Sequence, residues 1–193
     1  MARSRRVLEI GYGGYPMGNT ANGDISKFAR EMPPDTMYHG IDFPDRKDGK
    51  TGILSNGIKQ VEVADAEANY RRYAPERVFL HRMDGRKLGF RAGVFDEVHL
   101  HDIIHDPRVS QQDVRSMFSE SYRVLGHGGL LIVTGMEGRI FEASIVIAAL
   151  AMEEAGFKGR SGVDLYDATG FGRQIEQGYG RMPWFTIIAE KSL

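Results

Sequence analysis

Short apolar runs recur along this chain, and they alternate with stretches of helical composition or with glycine-rich loops. The first run, RRVLEI at 5–10, is too short for an amphipathic helix and stops at glycines, so it predicts a buried strand. Further strands are predicted at 36–43 (TMYHGIDF), 77–83 (RVFLHRM), 94–102 (VFDEVHLHD) and 129–135 (GLLIVTG). Between them, Asp24 can cap a helix ISKFAREM that Pro33 and Pro34 stop, and 61–74 has helix-forming composition. The stretch SQQDVRSMFSESYRVL at 110–125 predicts a helix. So does 139–156, which ends at Gly156 as a glycine cap would. Two weaker strands are expected at 157–165 and 184–191, while 16–23 and 44–57 read as loops.

Strands alternating with helices predict an α/β fold with right-handed crossovers and a parallel sheet covered on both faces. In such sheets ligands sit at the carboxyl ends of the strands, near the point where the strand order reverses. Past the first strand come Glu9, Gly11, Gly13 and Gly14; past the second, Asp42; past the third, Met83, Asp84 and Gly85. The fourth ends in HLHDIIHD, with His99, His101 and His105 beside Asp102 and Asp106. The first three of the four ends thus carry a carboxylate beside a glycine or at a strand terminus, a pattern suited to a ligand rich in hydroxyl and amino donors.

Composition narrows the classes. The 193 residues fit one domain over 1–193, large enough for a full core without staples. The longest apolar stretch, ASIVIAALAM at 143–152, is about half a membrane span and suits a buried helix, so no membrane partner is expected. The chain has no cysteine, which removes disulfides, thiolate metal sites and cysteine nucleophiles. Without a secretion-type apolar stretch near the start, a cytoplasmic location is expected. With 25 basic and 26 acidic residues, the chain lacks the positive excess that phosphate-led nucleic-acid binding needs.

The motifs in order resemble the class I S-adenosylmethionine-dependent methyltransferases. VLEIGYGG is similar to their first motif, and YHGIDF to their second strand with its terminal acid. MDGRKLGFRAGVFDEVHLHDIIHD resembles their third and fourth strand ends, and SYRVLGHGGLLIVTG the helix, glycine turn and fifth strand that follow. The resemblance implies a Rossmann-like, doubly wound, seven-stranded and mostly parallel sheet with a reversed last strand. It also implies S-adenosylmethionine as cofactor and methyl transfer to a small-molecule acceptor, with a homodimer left open as an assembly.

By the same resemblance, Gly11 and Gly13, with Gly14 beside them in the cofactor site, let the chain pass against the methionine part of the cofactor, and Glu9 accepts, directly or through water, from its ammonium group. Asp42 accepts from the ribose hydroxyls. Asp84 accepts from the adenine amino group, a backbone amide at Gly85 donates to the ring, and Met83 packs on the adenine face. The stretch Leu100, His101, Asp102 lies beside the transferred methyl, and His101 or His105 is the candidate base. Three loops, 15–23, 44–57 and 164–185, are candidate acceptor walls.

Rival ligands fit less well. A dinucleotide fingerprint needs glycine at the sixth position of G-x-G-x-x-G, where this chain has Pro16, and its ribose acid comes about 20 residues on, whereas Asp42 lies 33 beyond Glu9. A phosphate loop needs Gly-Lys-Ser/Thr, which is absent. The H-x-H-x-x-x-H spacing of the histidines matches no familiar metal motif, so no metal is expected. The first motif departs from the family's pattern, with Tyr15 where a third glycine is usual and the next helix postponed to about Asp24. Tyr15 is therefore expected to face the cofactor or the acceptor. RVLGHGG also departs from the family, which more often has lysine and proline before the glycines. These departures leave a second class open, a cofactor-binding protein or partner subunit without transfer; a nucleic-acid or protein acceptor is the other alternative.

Overall fold

Leu8 and Ile10 on one side of the first strand, and Val7 and Glu9 on the other, are all buried, which puts this strand in the middle of a sheet covered on both faces. The computed structural model describes residues 3–11, 32–42, 76–101, 103–104, 109–136, 141–159 and 184–192. They form a seven-stranded sheet from β1 (Arg5–Ile10), β2 (Thr36–Asp42), β3 (Val78–Arg82), β4 (Phe95–His101), β5 (Leu125–Met136), β6 (Phe157–Gly159) and β7 (Trp184–Lys191). The strand order is β3-β2-β1-β4-β5-β7-β6. Strands β1 to β5 run parallel, and β7 is inserted antiparallel between β5 and β6. The α/β class, the parallel sheet and the reversed last strand expected from the sequence are all present.

Two helices, α1 (Gln111–Val124) and α2 (Phe141–Ala155), pack on one face. Helix α1 starts at a capping box, in which the Ser110 side chain accepts from the amide of Asp113 and Asp113 answers back to Ser110. It buries Val114, Met117, Phe118, Ser121 and Val124, a helical stripe, against Leu8, Ile10, Val98 and Leu100 of the sheet. Helix α2 ends at Gly156, whose φ of +95° favours glycine. Among the described residues no helix is long and apolar enough to cross a membrane. The helices expected at 25–32 and 61–74 lie outside the described residues, apart from Met32, which sits in a bend before β2.

Two boundaries moved for physical reasons. The fifth strand begins at Leu125, directly after α1, rather than at Gly129. Leu125 pairs with Phe95, and the register then jumps so that Glu97 faces Leu130, which makes the glycine-rich 126–129 an irregularity inside the strand instead of a free turn. The strand expected at 157–165 is described only as Phe157–Gly159.

The connection from β3 to β4 is tied to α1 by side chains. Arg123 donates to the carbonyl oxygens of Leu88 and Phe90, both at 2.8 Å, while Glu120 accepts from the Leu88 amide at 2.6 Å and also holds Arg123. Leu88 is buried in the core beneath this clamp. The clamp fixes the segment that carries Met83, Asp84 and Gly85.

Candidate functional site

Because β3, β2, β1 and β4 are parallel neighbours, their carboxyl ends lie side by side. The order reverses between β1 and β4, where a ligand crevice forms in open α/β sheets. The structure brings Glu9, Gly11, Asp42, Met83, Asp84, Gly85, Leu100 and His101 to that edge. Gly13, Gly14, Tyr15, Asp102 and His105, and the candidate acceptor loops 15–23 and 44–57, lie outside the described residues, as does the third loop up to 183; its last two residues, Trp184 and Phe185, are not loop but the start of β7, paired with Met136 and Gly135.

Glu9 is completely buried, and its Oε2 accepts from the hydroxyl of Tyr38 at 2.5 Å. Gly11 takes a φ of +79°, a conformation side chains disfavour, and its amide donates to the Ile41 carbonyl at 2.9 Å. The chain therefore turns away at the end of β1 while still tied to β2. Asp42 closes β2, in register with Arg82. Gly85 is buried under the same edge, and a Cβ there would lie 2.6 Å from Cγ2 of Ile10, so β1 and the segment after β3 touch at a point where only glycine fits.

Asp84 is already engaged. Arg86 donates to both carboxylate oxygens, at 2.7 to 3.0 Å, and reaches Asp113 at the start of α1 at 2.8 Å. The hydrogen bonds from Arg86 hold the Asp84 carboxyl below its usual range, and those from Arg86 and Ser110 bring Asp113 down to about 2. Met83 accepts from the Gly89 amide through its thioether at 3.1 Å and packs partly against the core. Leu100 is fully buried in the core. His101 pairs with Thr134 at the last position of β4.

The sheet face that carries Glu9 is unusually polar. His99 is the cross-strand partner of Glu9, and its ring N–H donates to Glu97 at 3.1 Å. Arg5 pairs with the same Glu97 carboxylate. Burial opposes the charge on Glu97, but the hydrogen bonds from His99 and Arg5 outweigh it and hold the carboxyl below its usual range. On the opposite face, His39 stacks on Phe79 and His81, with ring nitrogens of the two histidines 3.0 Å apart. Burial, then the charges of His81 and Arg6, push His39 down to about 4. The sequence reading passed over Tyr38 and Arg86. For Tyr38 the signal lies in the strand register, Val7 facing Tyr38 and Glu9 facing Gly40, which the sequence does not show; for Arg86 there was none beyond its closeness to Asp84.

Comparison with known proteins agrees with this fold. Residues 52–133 match the family model described as a methyltransferase domain, a span that takes in β3, β4, α1 and most of β5 but not the acids of β1 and β2. No curated protein matches the sequence. Among solved structures, a SAM-dependent methyltransferase from Methanosarcina mazei shares the fold at 14% identity and a TM-score of 0.58, over 100% of this chain and 95% of that one. One from Aquifex aeolicus shares it at 14% identity and a TM-score of 0.57, over 97% of this chain and 82% of that one. The [4+2]-cyclase SpnF shares it at 18% identity and a TM-score of 0.58, over 100% of this chain and 76% of that one. Residues 52–133 are therefore similar to a methyltransferase domain, and the chain has the fold of the class I S-adenosylmethionine-dependent methyltransferases.

Proposed function

We propose that the chain, as a single cytoplasmic domain, binds S-adenosylmethionine across the ends of β3, β2, β1 and β4 and transfers its methyl group to a small-molecule acceptor. The observation that carries this reading is the set of acids on three adjacent parallel strand ends beside the order reversal, Glu9, Asp42 and Asp84, with the positive-φ turn at Gly11 between them. Their chemistry fits the ligand: a carboxylate for an ammonium, one for a ribose diol and one near a purine amino group. Glu9 accepts from the ammonium, Gly11 lets the backbone approach, and Asp42 takes the ribose hydroxyls. Arg86 already holds both oxygens of Asp84, so recognition of the adenine edge falls to the main chain around Gly85, with Met83 alongside.

When bound, the cofactor supplies an electrophilic methyl on a sulfonium. What the chain contributes is alignment of an acceptor atom in line with it and a place for the acceptor's proton. His101, at the last position of β4, is the candidate base, with His105 four residues further on as the alternative. Titration calorimetry with S-adenosylmethionine tests the binding, and screening an acceptor panel for methylation tests the transfer. Absence of both heat and thermal shift would sink the assignment.

A second reading is a cofactor-binding protein without transfer. It is favoured by the fold shared with a cyclase, and by Arg86 occupying Asp84. Binding without methylation across the panel would select it.

A further inference from the structure

Tyr38 and Glu9 belong to adjacent parallel strands. Val7 faces Tyr38 and Glu9 faces Gly40, so Tyr38 lies diagonal to Glu9 on the same face. Gly40, the direct partner of Glu9, has no side chain to enter the lane between them. The tyrosine hydroxyl spans the lane and donates to Oε2 of Glu9 at 2.5 Å, with the tyrosine 1% and the glutamate 0% exposed. A carboxyl group buried this completely needs a hydrogen-bond partner to replace its lost hydration. Its terminal torsion is also broad unless something pins one oxygen. The Tyr38 hydroxyl does both, and it comes from a strand other than the one that carries Glu9.

We propose that Tyr38 is a positioning residue: it holds the Glu9 carboxyl group in the orientation that accepts from the ammonium of the cofactor's methionine end. This rests on the site reading above, in which Glu9 meets that ammonium. Tyr38 touches no ligand in this account and acts only through Glu9.

Two probes separate the role from a structural one: S-adenosylmethionine, and methylthioadenosine, which keeps the nucleoside but lacks the amino-acid end. Calorimetry on Tyr38→Phe should show the dissociation constant for S-adenosylmethionine raised about tenfold, as losing one donor to a buried carboxyl group implies, and that for methylthioadenosine within about twofold. Adding Tyr38→Phe to Glu9→Gln should weaken binding no further than Glu9→Gln alone, since both remove the same interaction. Equal weakening of both probes, or no weakening of either, overturns the proposal. Should Tyr38→Phe fail to fold, the unaltered protein with ¹³Cζ-labelled tyrosine at position 38 decides. That resonance should move with S-adenosylmethionine and hold still with methylthioadenosine, and an equal response to both overturns the proposal. Wild-type protein that binds neither probe overturns the site reading itself, whereas wild-type binding left intact in Tyr38→Phe overturns this inference alone.

Discussion

Replacing Gly85 with alanine tests how the segment after β3 is fitted to the end of β1. A Cβ at Gly85 would stand 2.6 Å from Cγ2 of Ile10 and 3.4 Å from the sulfur of Met117. Carbon atoms in contact prefer about 3.5 to 4.0 Å, so roughly 1 Å must be found. Ile10 and Met117 are 2% and 0% exposed, and neither has room to give. The φ of Gly85 is outside the left-handed region, so the penalty is steric rather than conformational. Overpacking of this kind costs about 1 to 3 kcal/mol, and alanine's lower unfolded-state entropy returns about 0.4 to 1. The net loss of about 1 to 2 kcal/mol should lower Tm by roughly 2 to 8 °C in a chain of this size.

Because Ile10 leads straight into Gly11, the displacement should also reach the turn at the end of β1 and weaken nucleoside binding. Urea unfolding followed by circular dichroism, on Gly85→Ala, Ile10→Ala and the double variant, measures the coupling. Truncating Ile10 removes the clashing methyl, so Gly85→Ala should cost almost nothing in that background. An alanine variant as stable as wild type, or one equally destabilising with Ile10 truncated, would refute the steric argument.

Three further outcomes follow. His39 titrates at about 4 in the folded protein and near 6.5 when unfolded, so the unfolded chain takes up its proton first and stability falls as pH drops from 6.5 toward 4. The full effect is about 3 kcal/mol. Urea midpoints for His39→Gln should lose that part of the slope, and parallel curves for the two proteins would sink the assignment. Arg123→Met removes the clamp on the β3 to β4 connection and should speed hydrogen exchange at Leu88 and Val94 about tenfold, with unchanged rates counting against the clamp. Asp42→Ala should raise the dissociation constant for S-adenosylmethionine by roughly one to two powers of ten, and calorimetry showing less than a twofold change would remove Asp42 from the ribose site.

Much of the architecture was legible because each central strand is buried on both faces and so reads as a short apolar run with sharp ends. The bounds of β1 agree with its run, and β2, β3 and β4 differ from theirs by a residue at one or both ends. Glu9 stood out as an acid followed by spaced glycines where the first run ends. The roles that escaped notice depend on pairs distant in sequence. Tyr38 meets Glu9 across 29 positions, Arg86 meets Asp113 across 27, and Arg123 reaches back 33 to Phe90. A single sequence carries no mark of such pairs until the strand register and helix placement are known. The early start of β5 was hidden likewise, because glycines at 126, 128 and 129 signal a turn locally while pairing of Leu125 with Phe95 holds them in the sheet.

The central claim is that these strand ends form a cofactor site serving methyl transfer. Incubating the protein with S-adenosylmethionine labelled in its methyl group and a panel of small-molecule acceptors tests it most directly. Label should pass to at least one acceptor, and at a cofactor concentration about ten times the wild-type dissociation constant the transfer should fall roughly two- to tenfold in Asp42→Ala. Tight cofactor binding with no label passed to any acceptor would contradict the account of transfer, and no binding at all would contradict the site.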